Sequence, residues 1–152
     1  MAQVPVRVNF RSVIPGEPHR SGDSPRLDLK VIFTDLRKTS AALETARAMA
    51  RGLGARITLM VAQVVPYPLP LAAPPVPVEF TTRLIGSIGA HDDTAVQIYL
   101  CRDRSETIRR ALPPDSVVIV GARKQRWWRF SWDQRLARLL RHDGRRVLVV
   151  NV

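Results

Sequence analysis

The chain has 152 residues, 45% of them hydrophobic and 24% charged, which fits one domain with a packed core. Its 24 Lys+Arg against 13 Asp+Glu give a formal charge of +11, and all but Lys30, Lys38 and Lys124 of those cations are arginines. This composition excludes a coiled coil, a collagen-like chain and a disulfide-stapled secreted module, since the single Cys101 has no internal partner.

Residues 1–27 stand apart, with four prolines, two glycines and few large apolar side chains. Within them Val4, Val6, Val8 and Phe10 alternate with Pro5, Arg7 and Asn9, the period of a half-buried strand. A proline in such a run points to an edge. The segment is expected either to add to a sheet edge, its own or a second subunit's, or to be a disordered tail, with 11–27 as connector. No secretory apolar stretch is read there, and no run approaches the ~18 apolar residues that cross a bilayer. A cytoplasmic location is expected.

Residues 29–35 form a near-continuous β-branched and aromatic run, the mark of a strand buried on both faces. Thr39 or Ser40 is expected to cap a helix with the apolar stripe Leu43, Ala46, Ala50 and Leu53, ended by Gly52 or Gly54. A second strand is expected over 57–65. Residues 66–77 hold six of the twelve prolines and are expected to lie extended on the surface. A weak helix over 79–90, weakened by Gly86 and Gly89, precedes a third strand over 95–101. Asp103 and Glu106 have capping-box spacing for a short helix stopped by Pro113-Pro114. A fourth strand is expected over 116–120, with Gly121 ending it. Trp132, Leu136, Leu139 and Leu140 mark a last helix whose other face carries Arg135, Arg138 and Arg141. Gly144 closes that helix, and 147–152 is the fifth strand.

Strands joined by helices imply right-handed crossovers and a mainly parallel sheet with helices on both faces. The chain thus divides into an arm, 1–27, and an α/β domain, 28–152. Ligands of such sheets sit at the carboxyl ends of the strands where the strand order switches. With the first and fourth of these strands adjacent, that point lies near Asp35 and Gly121.

Four segments, spread over 29–152, resemble the universal stress protein family. They are Val31-Ile32-Phe33-Thr34-Asp35 followed by Ala41-Ala42-Leu43, then Leu53-Gly54-Ala55-Arg56-Ile57-Thr58-Leu59, Asp115-Ser116-Val117-Val118-Ile119-Val120-Gly121, and Leu139-Leu140-Arg141-His142 running into Val147-Leu148-Val149-Val150. The resemblance implies a five-stranded parallel sheet of order 3-2-1-4-5, of the adenine nucleotide alpha hydrolase type. It also implies a homodimer paired through Val147, Leu148, Val149 and Val150, and nucleoside contacts at Asp35, the backbone around Ala62, Val120 and Gly121. Asp35 and Gly121 read equally as turn or cap residues that need no ligand.

Nucleotide-binding members of that family carry, after the fourth strand, Gly, two residues, Gly, nine residues, Gly and a hydroxyl residue. Such glycines let backbone N–H groups approach phosphates at a helix N-terminus. Gly121 stands in the first position, but Lys124 takes the second, and Asp133-Gln134 replaces the final pair. A carboxylate there caps the helix while repelling phosphate. The departure argues against conventional ATP binding and for a degenerate site with no cofactor. The alternative is a nucleotide or other anion held by the side chains of Arg123 and Lys124.

Arg123-Lys124-Gln125-Arg126-Trp127-Trp128-Arg129-Phe130-Ser131-Trp132 contains all three tryptophans of the chain, interleaved with cations. Four readings stay open here. The arginines and lysine could hold an anionic ligand. Arg126, Trp127, Trp128 and Arg129 could dock on a membrane or a membrane protein. The segment could stack on nucleic acid, although no recognised binding motif accompanies it. Or Trp128 and Trp132 simply pack the last helix on the sheet beneath a solvated arginine face.

Catalysis finds little support. His19, His91 and His142 are scattered, and Asp92-Asp93 beside His91 lacks further metal ligands. Cys101 ends an apolar strand and reads as a core residue, unless exposure lets Arg102 and Arg104 lower its pKa. The expected function is a non-catalytic, homodimeric binding or signalling module without a metal.

Overall fold

The computed structural model describes residues 6–10, 27–69, 71, 94–124 and 131–152, with 6–10 as backbone only. Its elements are β1 (Val6–Phe10), β2 (Asp28–Ile32), α1 (Leu36–Leu53), β3 (Arg56–Val64), β4 (Thr94–Cys101), α2 (Arg104–Ala111), β5 (Val117–Ala122), α3 (Trp132–His142) and β6 (Arg146–Asn151). The expected helix over 79–90, most of the proline-rich segment, His91 with Asp92-Asp93, and Arg126 to Arg129 lie outside the described residues.

The strands form one sheet of order β1-β4-β3-β2-β5-β6. The five from β2 to β6 are parallel, in the expected order 3-2-1-4-5. β1 adds to the outer edge of β4 within the same chain and runs antiparallel to it. Its register sets Val6, Val8 and Phe10 opposite Leu100, Ile98 and Val96, so the alternation of the arm matches apolar positions of β4.

The central strands are buried on both faces, as their unbroken apolar runs require. On one face α1 packs Ala42, Leu43 and Ala46 against Leu29, Val31, Ile57 and Leu59. On the other, α2 and α3 bring Ile108, Leu136 and Leu140 onto Ile32, Met60, Val118 and Val120. Successive residues Val31 and Ile32 thus serve opposite cores, and both are fully buried. At about 1.5–3 kcal/mol for each large aliphatic side chain, these two layers supply the main favourable term of the fold.

Three local expectations need correction. Helix α1 starts at Leu36, one turn earlier than Thr39 or Ser40, because Asp35 Oδ1 accepts from Lys38 N at 2.9 Å and fills the N-cap role. Thr39 is instead buried inside the first turn, its Oγ1 accepting from Thr34 N at 3.1 Å. At the other end Gly54, at φ 62°, closes α1 as expected, but Leu53 is 58% exposed and leaves the apolar stripe at Ala50.

Second, β5 continues through Gly121 to Ala122, so Gly121 is a strand residue rather than a turn. Third, Asp133 is not the N-cap of α3. Ser131 holds that position without a side-chain bond, and Asp133 sits inside the first turn, 2% exposed. The short helix α2 is capped as read, with Asp103 Oδ1 accepting from Glu106 N at 3.0 Å. Glu106 does not return the bond; its carboxylate takes Arg109 and Arg110.

Candidate functional site

The strand order switches between β2 and β5, where α1 leaves for one face and α3 for the other. At the carboxyl ends of these strands the structure brings Asp35, Lys38, Gly121 and Asp133 together. Lys38 Nζ lies 3.0 Å from Asp35 Oδ2 and 3.1 Å from Asp133 Oδ2. One ammonium therefore ties the N-terminus of α1 to that of α3 across the sheet.

The backbone is equally close. A Cβ on Gly121 would stand 2.1 Å from the Lys38 carbonyl oxygen, so the first turn of α1 rests on β5 only because this residue has no side chain. Thr34 Oγ1 donates to Gly121 O at 3.3 Å and adds a second link between the β2 end and β5. Asp133 Oδ1 accepts from Gln134 N at 3.2 Å, and Gln134 Nε2 donates to Arg123 O at 3.1 Å. The loop leaving β5 is thus fastened to the start of α3.

Charge in this cluster is largely settled within the chain. Burial would push the Lys38 ammonium down, but bonds and Coulombic attraction from Asp35 and Asp133 outweigh it and hold the group above its ordinary 10.5. Burial likewise would raise Asp35, yet the Lys38 backbone and side-chain bonds keep it below the ordinary 3.8. A lysine held protonated in this way is neither a base nor a nucleophile. Its three donors serve two carboxylates, and the pair of acidic groups repels an incoming phosphate.

The other expected nucleoside positions are less open. Val120 is fully buried in the second core, and Ala62 is half-buried in β3, paired in register with Tyr99. Arg123 and Lys124 are exposed just beyond β5. Trp132 packs on the second core with Nε1 donating to Ser105 Oγ at 3.2 Å, so this tryptophan is a packing residue. Arg126, Trp127, Trp128 and Arg129 lie outside the described residues. Cys101 is 3% exposed with Sγ 3.4 Å from Gln63 O; burial pushes the thiol up, which removes the reading of a lowered pKa beside Arg102 and Arg104.

On β6, Leu148 is 39% exposed, while Val147 and Val150 are partly buried against the second and first cores. The edge is thus less apolar than its sequence suggests. Among the described residues no group of three His, Cys, Asp or Glu side chains forms a metal-ligand set, and no helix is long and apolar enough to cross a membrane.

Lys38 is the residue that sequence reasoning missed. Two signals were present: it is one of three lysines among 24 cations, and it follows Asp35 by three residues. Its second partner, Asp133, is distant in sequence, so only the fold joins them. No known family model matches this chain, and no curated protein matches it significantly.

Proposed function

We propose that the chain is a non-catalytic binding or signalling module of the universal stress type, homodimeric and with a degenerate nucleotide site. The parallel order and the Asp35–Gly121 switch point support the fold side of this reading. One observation carries the functional side: Lys38, clamped between Asp35 and Asp133, stands at the carboxyl ends of β2 and β5, where a nucleotide would lie. Asp133, standing where nucleotide binders keep a small residue, adds a buried carboxylate at the helix N-terminus that disfavours phosphate.

Titration calorimetry with ATP and Mg²⁺, run beside thermal melting, tests this directly. No saturable heat and no rise in Tm are expected. A saturable heat with a raised Tm would overturn the reading and favour nucleotide binding through Arg123 and Lys124. The dimer has its own test. β6 ends the sheet and presents backbone N–H and C=O groups along its outer side. Light scattering is expected to give twice 17.1 kDa, and Leu148→Glu to reduce it. A monomer of the parent chain at micromolar concentration would remove the dimer.

A further inference from the structure

The arm is held at one sheet edge by a single strand. β1 pairs with β4 alone, and β4 is the last of the parallel strands on that side. Their ladder is antiparallel and runs from Val6↔Leu100 to Phe10↔Val96. Leu100 and Ile98, which pair in register with Val6 and Val8, are each 2% exposed, so this edge belongs to the packed sheet.

The chain between arm and domain is longer than this pairing needs. Phe10 stands in one row with Val96, Leu59 and Val31. Three strand spacings, about 14 Å, therefore separate Phe10 from Val31. Leu27 precedes Val31 by four residues, about 13 Å along the strand direction. The gap from Phe10 to Leu27 is thus about 20 Å, which about six extended residues would bridge. The connector 11–26 has sixteen, enough to span about 55 Å.

We propose that β4 also accepts the β1 arm of a second copy, so that Val6–Phe10 exchange between chains in the register they hold within one. An identical chain supplies the identical strand, and each ladder bond given up within a chain is regained between chains. The surplus of connector lets the arm reach past its own edge. Exchange is opposed by the tether, which offers the arm to its own β4 at about millimolar effective concentration. Closed chains therefore dominate at micromolar concentration, and exchanged pairs gain as the concentration approaches millimolar. The exchange uses the edge opposite β6, so it neither needs the pairing proposed there nor competes with it.

Cysteine cross-linking of the full chain tests it. Asn9→Cys is mixed with a size-tagged Gln97→Cys chain, two positions opposite each other in the β1–β4 register, and treated with a short bismaleimide. A covalent heterodimer is expected, its share rising about tenfold or more between about 10 µM and about 1 mM protein. Arg7→Cys, diagonal to Gln97 on the same face, should repeat the result. Asn9→Cys with the tagged parent, whose Cys101 is buried, sets the background, and tagged Arg146→Cys on β6 should not exceed it. Leu148→Glu in both chains should leave the yield unchanged, which separates arm exchange from pairing at β6. Equal thermal midpoints establish that the variants are folded. A heterodimer no more abundant than background, a share independent of concentration, or its loss in the Leu148→Glu chains would each overturn the inference.

Discussion

Gly121 is fixed by a contact rather than by a turn. With its absent Cβ 2.1 Å from one backbone oxygen and 2.6 Å from the adjacent carbon, Gly121→Ala must move α1 away from β5. A loss of about 2 kcal/mol or more is expected, read as a lower urea midpoint with unchanged m. Lys38→Met leaves Asp133 buried without its cation and is expected to cost about 3 kcal/mol, since breaking such a pair strands the remaining charge. Lys38→Met/Asp133→Leu should recover part of that loss; a double variant no more stable than the single one would contradict the pairing.

This clamp and the Arg109–Asp143 pair set a pH dependence. Asp35 titrates below its ordinary 3.8, and so does Asp143, held down by its bonds from Arg109. A carboxyl whose folded pKa is depressed stabilises above its unfolded pKa and loses that contribution as pH falls through the folded value. Stability is therefore expected to be level from neutrality to about pH 4 and to decline below it. Lys38, raised above 10.5, contributes fully below that value and is lost only as pH rises through its folded pKa. Denaturation midpoints against pH check both limbs. An Asp35→Asn variant with an unaltered acid limb would remove Asp35 from the account.

At the scale of elements, α2 illustrates how local signals and tertiary contacts divide the work. Eight residues are too few for an isolated helix, so Asp103 at the start and Arg145 on its final carbonyls hold it in place. Asp103→Ala is expected to cost about 1 kcal/mol in chemical denaturation, the usual price of a lost N-cap. The cap was legible because Asp103 precedes Glu106 at the right spacing. The C-terminal clamp was not, because Arg145 reads as one basic residue among many until the fold sets it beside α2. Likewise α1 begins after Asp35 because that carboxylate, three residues beyond the end of β2, accepts from Lys38 N and takes the cap from Thr39.

For the whole molecule, the arm settles how one sheet edge is protected. β1 covers β4 along residues 96 to 100, and removing it would uncover a ladder of unpaired groups beside apolar side chains. Deletion of residues 1–10 is expected to lower the thermal midpoint and raise the mass seen by light scattering through edge-to-edge association. Unchanged mass and midpoint would show that β1 contributes nothing to the edge. The opposite edge, β6, has no such cover among the described residues, an asymmetry that suits pairing of two copies there.

Sequence alone determined the five parallel strands and the helices α1, α2 and α3 that follow three of them, with Asp35 and Gly121 at a switch point only on the condition that their strands are neighbours. Those features rest on local quantities: β-branched runs, helical stripes, caps and turn residues that act within a few positions of one another. Only the tertiary structure decided that Gly121 makes room for α1, that Lys38 answers Asp133, and that β1 pairs within its own chain. Each of these depends on groups far apart in sequence, whose meeting is set by strand order and packing distance, which no short stretch of residues encodes by itself.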